Sequence, residues 1–419
     1  MKLSELAPED VVITGRGVLC AIGNSLDEVL PALRSGRSGL AFDPEFAERG
    51  FRCQVSGKVR GLDPAAWLTE EQRLSMSKTS LYSSIAAMQA IREAGLSSQD
   101  LEREETGVAL GCGLGGGESF MRSVRITVEQ KSPRRVGAHG VDTTMASTCA
   151  ANATVLFKTR GVGESISSAC ATGLHNIGYA YRLIKHGYED TMICGSAEED
   201  TWQLAMGFDA MRVLCADSNA DPARASRPLD KTRAGFVASG GAGVMVLESA
   251  RRARERGAKP LARIAGFWSS TDGSGDMTAP AADGQRRLLK RVLRDARLQA
   301  GDIDYVNLHG TSTPSGDVVE LQSLARELGE SGYLVSSSKS QIGHALGAAG
   351  SIELVFTSLM LEHGFVAPSI NLSQLDPALE PLRGVIAAQP VQRDLRYAMS
   401  NNFGFGNTNG SMILEAIRE

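Results

Sequence analysis

Ser165-Ile-Ser-Ser-Ala-Cys170-Ala-Thr-Gly-Leu174 is the stretch on which the reading of this chain turns. A short run of Ser and one β-branched residue leads to a cysteine. Small residues follow at once, and Leu174, Ile177, Tyr181 and Ile184 then recur at helical spacing. The pattern predicts strand, sharp turn, cysteine, helix. Ala169, Ala171 and Gly173 leave room for a tight turn and for a substrate against the backbone. A cysteine at a helix N-terminus faces unpaired N–H groups and the positive end of the helix dipole, which favour the nucleophilic thiolate. The competing reading is a buried structural cysteine, because free cysteine is among the most buried residue types.

The bulk of the chain narrows the choice. Its 419 residues are enough for two or three domain-sized units or for one large duplicated fold. Hydrophobic residues make up 42% and charged residues 22%, the balance of an ordinary soluble globular protein. A net charge of -4 argues against a dedicated nucleic-acid binder. The seven cysteines, Cys20, Cys53, Cys112, Cys149, Cys170, Cys194 and Cys215, form no C-x-x-C pair. An odd set without such pairs points away from a disulfide framework or zinc knuckle and toward a reducing compartment, the cytoplasm. Met1 to Asp10 carries acids and no apolar segment, so no signal peptide is expected. No run of about 18 apolar residues occurs, so no membrane span is expected.

In chain order, Val11-Val-Ile-Thr14 reads as a buried strand, and Ser25-Leu-Asp-Glu28 as a capping box opening a helix. Residues 41 to 75 read as mixed and loop-like. Lys78 to Ala94 is a helix with Leu81, Ile85, Met88 and Ile91 in its ladder and Gly95 as its stop. Gly107 to Gly111 is a strand. The glycine-rich Cys112 to Gly117 lacks a clean G-x-G-x-x-G, and the residues after it do not read as a helix opened by that loop, so a phosphate cradle is not expected. Arg122 to His139 is basic and reads as a solvated face. Met145 to Phe157 is a small-residue helix. Thr191 to Gly195 and Val244 to Leu247 are further strands, the former followed by Glu198-Glu-Asp200.

After about residue 260 the pattern restarts. Ala262 to Gly266, Tyr305 to Leu308 and Leu334 to Ser337 read as strands, and Gly284 to Leu298 and Gly347 to Leu361 as helices. Tyr397 to Asn401 and Ser411 to Ile417 close the chain. Strands alternate with helices in both parts, which predicts an α/β architecture with mostly parallel sheets and an internal duplication.

Two more stretches carry chemistry. His309-Gly-Thr-Ser-Thr-Pro-Ser-Gly-Asp317 places a histidine at a strand end before small hydroxyl residues. Lys339-Ser-Gln-Ile-Gly-His344-Ala-Leu-Gly-Ala-Ala-Gly350 places a lysine five residues before a second histidine. The chain has only six histidines. Cys170, His309 and His344 all fall where loops at the carboxyl ends of strands build sites in open α/β sheets. Metal-ligand spacing is absent. A Cys–His protease needs one histidine. One cysteine with two histidines suits carbon–carbon bond formation at a thioester: the sulfur holds an acyl group while two neutral imidazole N–H groups stabilise an enolate.

The set Ser-Ala-Cys170-Ala, His309-Gly-Thr-Ser-Thr-Pro-x-Gly-Asp, Lys339-x4-His344-x-x-Gly-Ala-Ala-Gly and Phe403-Gly-Phe-Gly resembles the β-ketoacyl-acyl-carrier-protein synthases. Within them it is most similar to the elongating type I/II group, and closest to type I. The resemblance runs from about residue 11 to the C-terminus. It implies a thiolase fold, with duplicated halves over residues 1–260 and 261–419 in a five-layered αβαβα arrangement. A homodimer is expected, and a heterodimer is compatible. It implies Cys170 as acyl acceptor, and His309 and His344 as hydrogen-bond donors to the malonyl thioester carbonyl, supported by Lys339. Backbone N–H groups of Cys170 and Phe405 would form an oxyanion hole. Phe405, with Phe403 beside it, would gate the acyl pocket, and Thr311 and Thr313 would contact a phosphopantetheine arm. Glu320 and Glu353 would order the site, and Met145, Leu204, Phe208 and Phe236 would line the pocket. Lys131, Arg134 and Arg135 would attract an acidic acyl carrier protein. No metal or redox cofactor is expected.

Two departures from the family pattern stand out. Asn402 and Asn407 replace the usual Ser and Gly of the Ser-Phe-Gly-Phe-Gly-Gly-Thr-Asn motif, and a side chain at 407 would stiffen the loop. Glu70 and Glu71 replace basic charge in the segment Leu68 to Ser77, where type I enzymes dock their carrier. A specialised polyketide or aryl-polyene pathway is therefore an alternative to fatty-acid elongation. A non-catalytic chain-length partner subunit would be expected to lack Cys170. A degradative thiolase would carry a second cysteine near Phe405, where none exists.

Overall fold

Val11–Leu19, Thr191–Glu198 and Gly241–Ser249 are buried along their whole length. Strands of this kind need cover on both faces, and the fold supplies it. The computed structural model describes residues 2–418. Ten strands form one sheet: β1 (Val11–Leu19), β2 (Thr106–Gly111), β3 (Gly163–Glu164), β4 (Thr191–Glu198), β5 (Gly241–Ser249), β6 (Ala262–Thr271), β7 (Tyr305–Asn307), β8 (Leu334–Ser336), β9 (Tyr397–Gly404) and β10 (Thr408–Ala416). Their spatial order is β8-β7-β9-β10-β6-β1-β5-β4-β2-β3. Divided between β1 and β6, each half has the order third, second, fourth, fifth, first, counted along its own segment. The halves join where Val12 pairs with Arg263 and Ile13 with Ala262. This repeated order is the duplication that the sequence pattern suggests.

Helices complete the layers. On the outer face of the first half α1 (Lys78–Ala94) and, later in the chain than α2 (Gly117–Gln130), α3 (Thr148–Phe157) pack on its strands, while α2 packs on helix Trp202–Ala210. The central layer holds α4 (Thr172–Lys185) and, from the second half, a helix over Ala349–His363. The outer face of the second half carries helices over Ala282–Ala296 and Gly316–Leu328. The result is the five-layered αβαβα thiolase arrangement. Separate apolar clusters fill the space between the two sheet halves and the space under each outer layer.

Four local expectations need correction. The sheet is mixed rather than mostly parallel: in each half the fifth strand runs antiparallel to both neighbours. The reason is visible at β9 and β10, which are joined by Phe405-Gly406-Asn407. Three residues cannot make a parallel crossover, which needs a dozen or more. The strand before Cys170 is only Gly163–Glu164, and Ser165 to Ser168 are irregular. Residues 117–130 form a helix after all, although Gly117 is its only buried residue. Its apolar residues Phe120, Val124 and Val128 do recur at helical spacing, but they face outward. Residues 41 to 75 contain short elements, including helices Pro44–Glu48 and Glu70–Arg73.

The two central helices meet at their N-termini through glycines. A Cβ on Gly173 would collide with the backbone nitrogen of Ser351, and one on Gly350 would lie 2.8 Å from the nitrogen of Leu174. Gly173→Ala should lower stability by about 1–3 kcal/mol, as overpacking does. Chemical denaturation is the check, with a lower midpoint expected at unchanged slope. An unchanged midpoint would contradict the close approach.

Candidate active site

The loops after β3, β7 and β8 and the β9–β10 hairpin converge on one cavity of about 450 Å³. Cys170 arrives on a strained elbow. Ala169 has φ of 49°, in the left-handed region that side chains avoid. The elbow is clamped from its own helix: Ser168 N donates to Thr172 Oγ1 at 2.8 Å, and His175 Nδ1 lies 2.7 Å from Ser168 Oγ. Such strain re-aims the following side chain, and Cys170 lines the cavity.

The cysteine, His309 and His344 come together as the sequence predicts. Their sulfur and ring nitrogens lie within 4.8 Å of one another. The two imidazole centroids are 5.2 Å apart, with their planes nearly perpendicular. Leu346 N donates to His344 Nδ1 at 3.3 Å, so the neutral ring carries its hydrogen on Nε2, which lies 3.2 Å from Cys170 Sγ. His344 thus points a donor at the sulfur rather than a lone pair. That arrangement suits a developing anion better than a cation. Burial, with Lys339 close by, holds both histidines well below the usual imidazole value, so both are neutral at pH 7.

The expected thiolate is corrected by the same burial. Desolvation pushes the Cys170 thiol up to about 11, against Lys339 and the Phe405 N–H, which pull it down. Here loss of hydration outweighs the lysine and the N–H.

Acids and a lysine brace the histidines. Glu320 accepts from His309 N and Gly310 N, both at 2.8 Å, and burial pushes its carboxyl up to about 8. Lys339 Nζ pairs with Glu353 Oε1, and both side chains are buried. Thr311 and Thr313 line the cavity with their hydroxyls 3.0 Å apart. Phe236 lies edge-on to His344 at 5.3 Å, Phe208 to Phe236 at 5.4 Å, and Phe403 to His309 at 5.9 Å. Phe405 sits 6.2 Å from Phe208. Leu204 packs in the same apolar cluster without reaching the cavity wall.

Met145 is not among the residues that line this cavity or form this cluster. Its backbone packs against Gly115, where a Cβ would lie 2.5 Å from the Met145 carbonyl oxygen. Lys131, Arg134 and Arg135 are exposed at and beyond the C-terminal end of α2, away from the cavity lining.

Three residues that the sequence names take contacts it did not assign them. Glu198 is fully buried and accepts from Gly113 N at 2.8 Å and from Leu114 N and Gly347 N at 3.1 Å. It ties the glycine-rich loop to the loop after His344, and burial pushes its carboxyl up to about 8. The signal for it was an acid ending an apolar strand. Asn402 is fully buried beside Glu353 and His309. Asn407 has φ of 61°, accepts from Ser274 Oγ at 2.5 Å and donates to the Asp276 carbonyl, which staples the hairpin to the segment opposite.

Residues 8–253 match the family model described as the N-terminal domain of β-ketoacyl synthase, and residues 261–373 match that of its C-terminal domain. The 3-oxoacyl-[acyl-carrier-protein] synthase 1 of Haemophilus influenzae is 39% identical over 404 residues, which is 96% of this chain and 98% of that one. The crystal structure of a β-ketoacyl synthase from Burkholderia phymatum superposes with a TM-score of 0.91 at 35% identity, covering 98% of this chain and all of that one. A type II polyketide ketosynthase in complex with its acyl carrier protein superposes with a TM-score of 0.88 at 28% identity, covering 98% of this chain and all of that one. With both halves matched in order and the cysteine and two histidines in one cavity, the chain belongs to the β-ketoacyl synthase family.

Proposed function

We propose that the protein is a β-ketoacyl-acyl-carrier-protein synthase that elongates fatty acids by decarboxylative Claisen condensation with a malonyl-carrier. The observation that carries this reading is one sulfur and two neutral imidazoles in a single cavity. In the first half-reaction Cys170 Sγ attacks an acyl thioester. An S–C bond forms to the sulfur, and the carrier thiol leaves with the cysteine's proton. The N–H groups of Cys170 and Phe405 stabilise the intermediate oxyanion. In the second, the malonyl-carrier loses CO2, and the pair from the broken C–C bond becomes an enolate whose oxygen meets His309 and His344. The enolate carbon attacks the acyl-cysteine, the S–C bond breaks, and Sγ takes up one proton from solvent. Atoms and electrons balance without a metal or redox cofactor.

The remaining residues take supporting roles in the same reading. Lys339, paired with Glu353, keeps both histidines neutral. Glu320 holds the His309 backbone. Thr311 and Thr313 contact the pantetheine arm, Phe405 gates the pocket beside Phe403, and Phe208 and Phe236 line the acyl path with Leu204 behind them. Two thiolase-like halves, 1–260 and 261–419, are supported by the separate family matches and the repeated strand order. The free cysteines support a cytoplasmic setting, and among the described residues no helix is long and apolar enough to cross a membrane. A polyketide or aryl-polyene pathway is the second reading, favoured by Glu70 and Glu71, which are exposed on the helix Glu70–Arg73.

We further propose a homodimer. The edge strand β3 is exposed at the end of the sheet, and Val155, on the helix α3 that packs beside it, is 80% exposed. An edge strand that meets its own copy about a twofold axis satisfies its free backbone groups and covers such a surface.

Cys170→Ala should show no acyl adduct by intact-protein mass spectrometry after incubation with acyl-carrier, and no condensation product. Product formation by that variant would refute the nucleophile. Reversing the charge of Lys131, Arg134 and Arg135 together should raise KM for the carrier substrate by about tenfold at low salt, with kcat held and the effect fading as salt rises. Sedimentation velocity should give twice the mass of one chain, and a monomer at micromolar concentration would sink the dimer.

A further inference from the structure

We propose that Asn402 is a positioning residue that sets the tautomer of His309, so that this ring presents Nε2–H to the reacting carbonyl. The inference rests on the condensation reading above and adds a residue to it. Asn402 lies in β9 and is fully buried. An amide can be placed either way round, but its neighbours here leave one choice. Glu353 Oε1 takes the Lys339 ammonium, and Glu353 Oε2 lies 2.8 Å from Asn402 Nδ2. An ionised carboxylate only accepts, so the amide nitrogen must face it. That nitrogen carries two hydrogens. The second is within reach of His309 Nδ1, 3.3 Å away. Nδ1 therefore accepts, and the neutral ring holds its hydrogen on Nε2.

The two histidines reach the same tautomer by different means. His344 receives a backbone N–H, from Leu346, which no side-chain change at that position removes. His309 has only the Asn402 side chain at its Nδ1 among the described residues. The other half of the Asn402 amide argues against a merely structural role. Its Oδ1 is buried without a partner and faces Gly350, where a Cβ would stand 2.8 Å from it. An orphaned acceptor costs stability, so the side chain is not retained for its oxygen. Serine, the residue the family motif usually has here, is shorter, and one hydroxyl hydrogen cannot serve both Glu353 and His309. Lys339, Glu353, Asn402 and His309 thus form one buried line, each member orienting the next.

The test compares the full-length wild type with Asn402→Leu and Asn402→Ser. Ring nitrogen spectra are recorded on 15N-histidine-labelled protein, with His309 assigned through its own substitution. Decarboxylation of a malonyl thioester is followed in parallel. The wild type should show His309 as Nε2–H. Both variants should shift it toward Nδ1–H, with kcat for decarboxylation down about tenfold or more and KM within about twofold, as loss of a donor used only by the enolate implies. If the leucine variant does not fold, the serine variant decides. Retention of Nε2–H in the folded variants, or a fall in kcat without a change of tautomer, overturns the inference. The acyl adduct on wild-type Cys170 judges the condensation reading separately: its absence would remove that reading, while the spectra alone still judge the tautomer.

Discussion

The site depends on how closely two helices approach. α4 brings Cys170 from the first half, and the helix over Ala349–His363 follows directly on the loop that carries His344 in the second. Glycines at 173 and 350 let the two N-termini touch backbone to backbone, and Ser351 Oγ lies 2.7 Å from Ser196 Oγ on β4. Each helix is the central helix of its half, so the duplicated fold places both N-termini at one point between the sheets. A nucleophile from one copy and a donor from the other then meet without a long loop.

Burial governs the chemistry at that point. It keeps both imidazoles neutral, which suits donors that must receive negative charge without releasing a proton. It also raises the Cys170 thiol, so in the proposed condensation the sulfur would start protonated and pass its proton to the leaving thiol. Lys339 adds a positive charge that discourages imidazolium, and Glu353 neutralises the lysine. The carboxyl groups of Glu198 and Glu320 act on the backbone. They take backbone N–H groups from three loops and hold those loops in place. Buried acids of this kind tie down irregular segments that a packed sheet cannot reach.

Much of this was legible in the residues. Cys170 among small residues before a helical ladder, His309 at the end of Tyr305-Val-Asn-Leu308, and Lys339 five before His344 all mark loop ends by local pattern alone. The α/β class and the duplication followed from alternation repeated on both sides of residue 260, and the five-layered arrangement from the family resemblance. Other features depend on partners distant in the chain. The antiparallel fifth strands follow from a hairpin too short to cross over, and from a repeat of that topology in the first half. The helix over 117–130 shows its apolar ladder to solvent, so its pattern lacked a packed partner to confirm it. Met145 sits behind Gly115 and not in the cavity, because its position is set by packing against a loop 30 residues earlier.

Sequence alone pointed to the cysteine and two histidines that share the cavity, because chemistry restricts which residue types can serve and local spacing restricts where they can sit. It did not yield their protonation or their orientation. Those belong to the space between the halves, where the loss of water sets charge and where Leu346, Glu353 and Asn402 decide which nitrogen of each ring carries hydrogen. Such contacts join residues up to about 90 positions apart, and no local pattern records them.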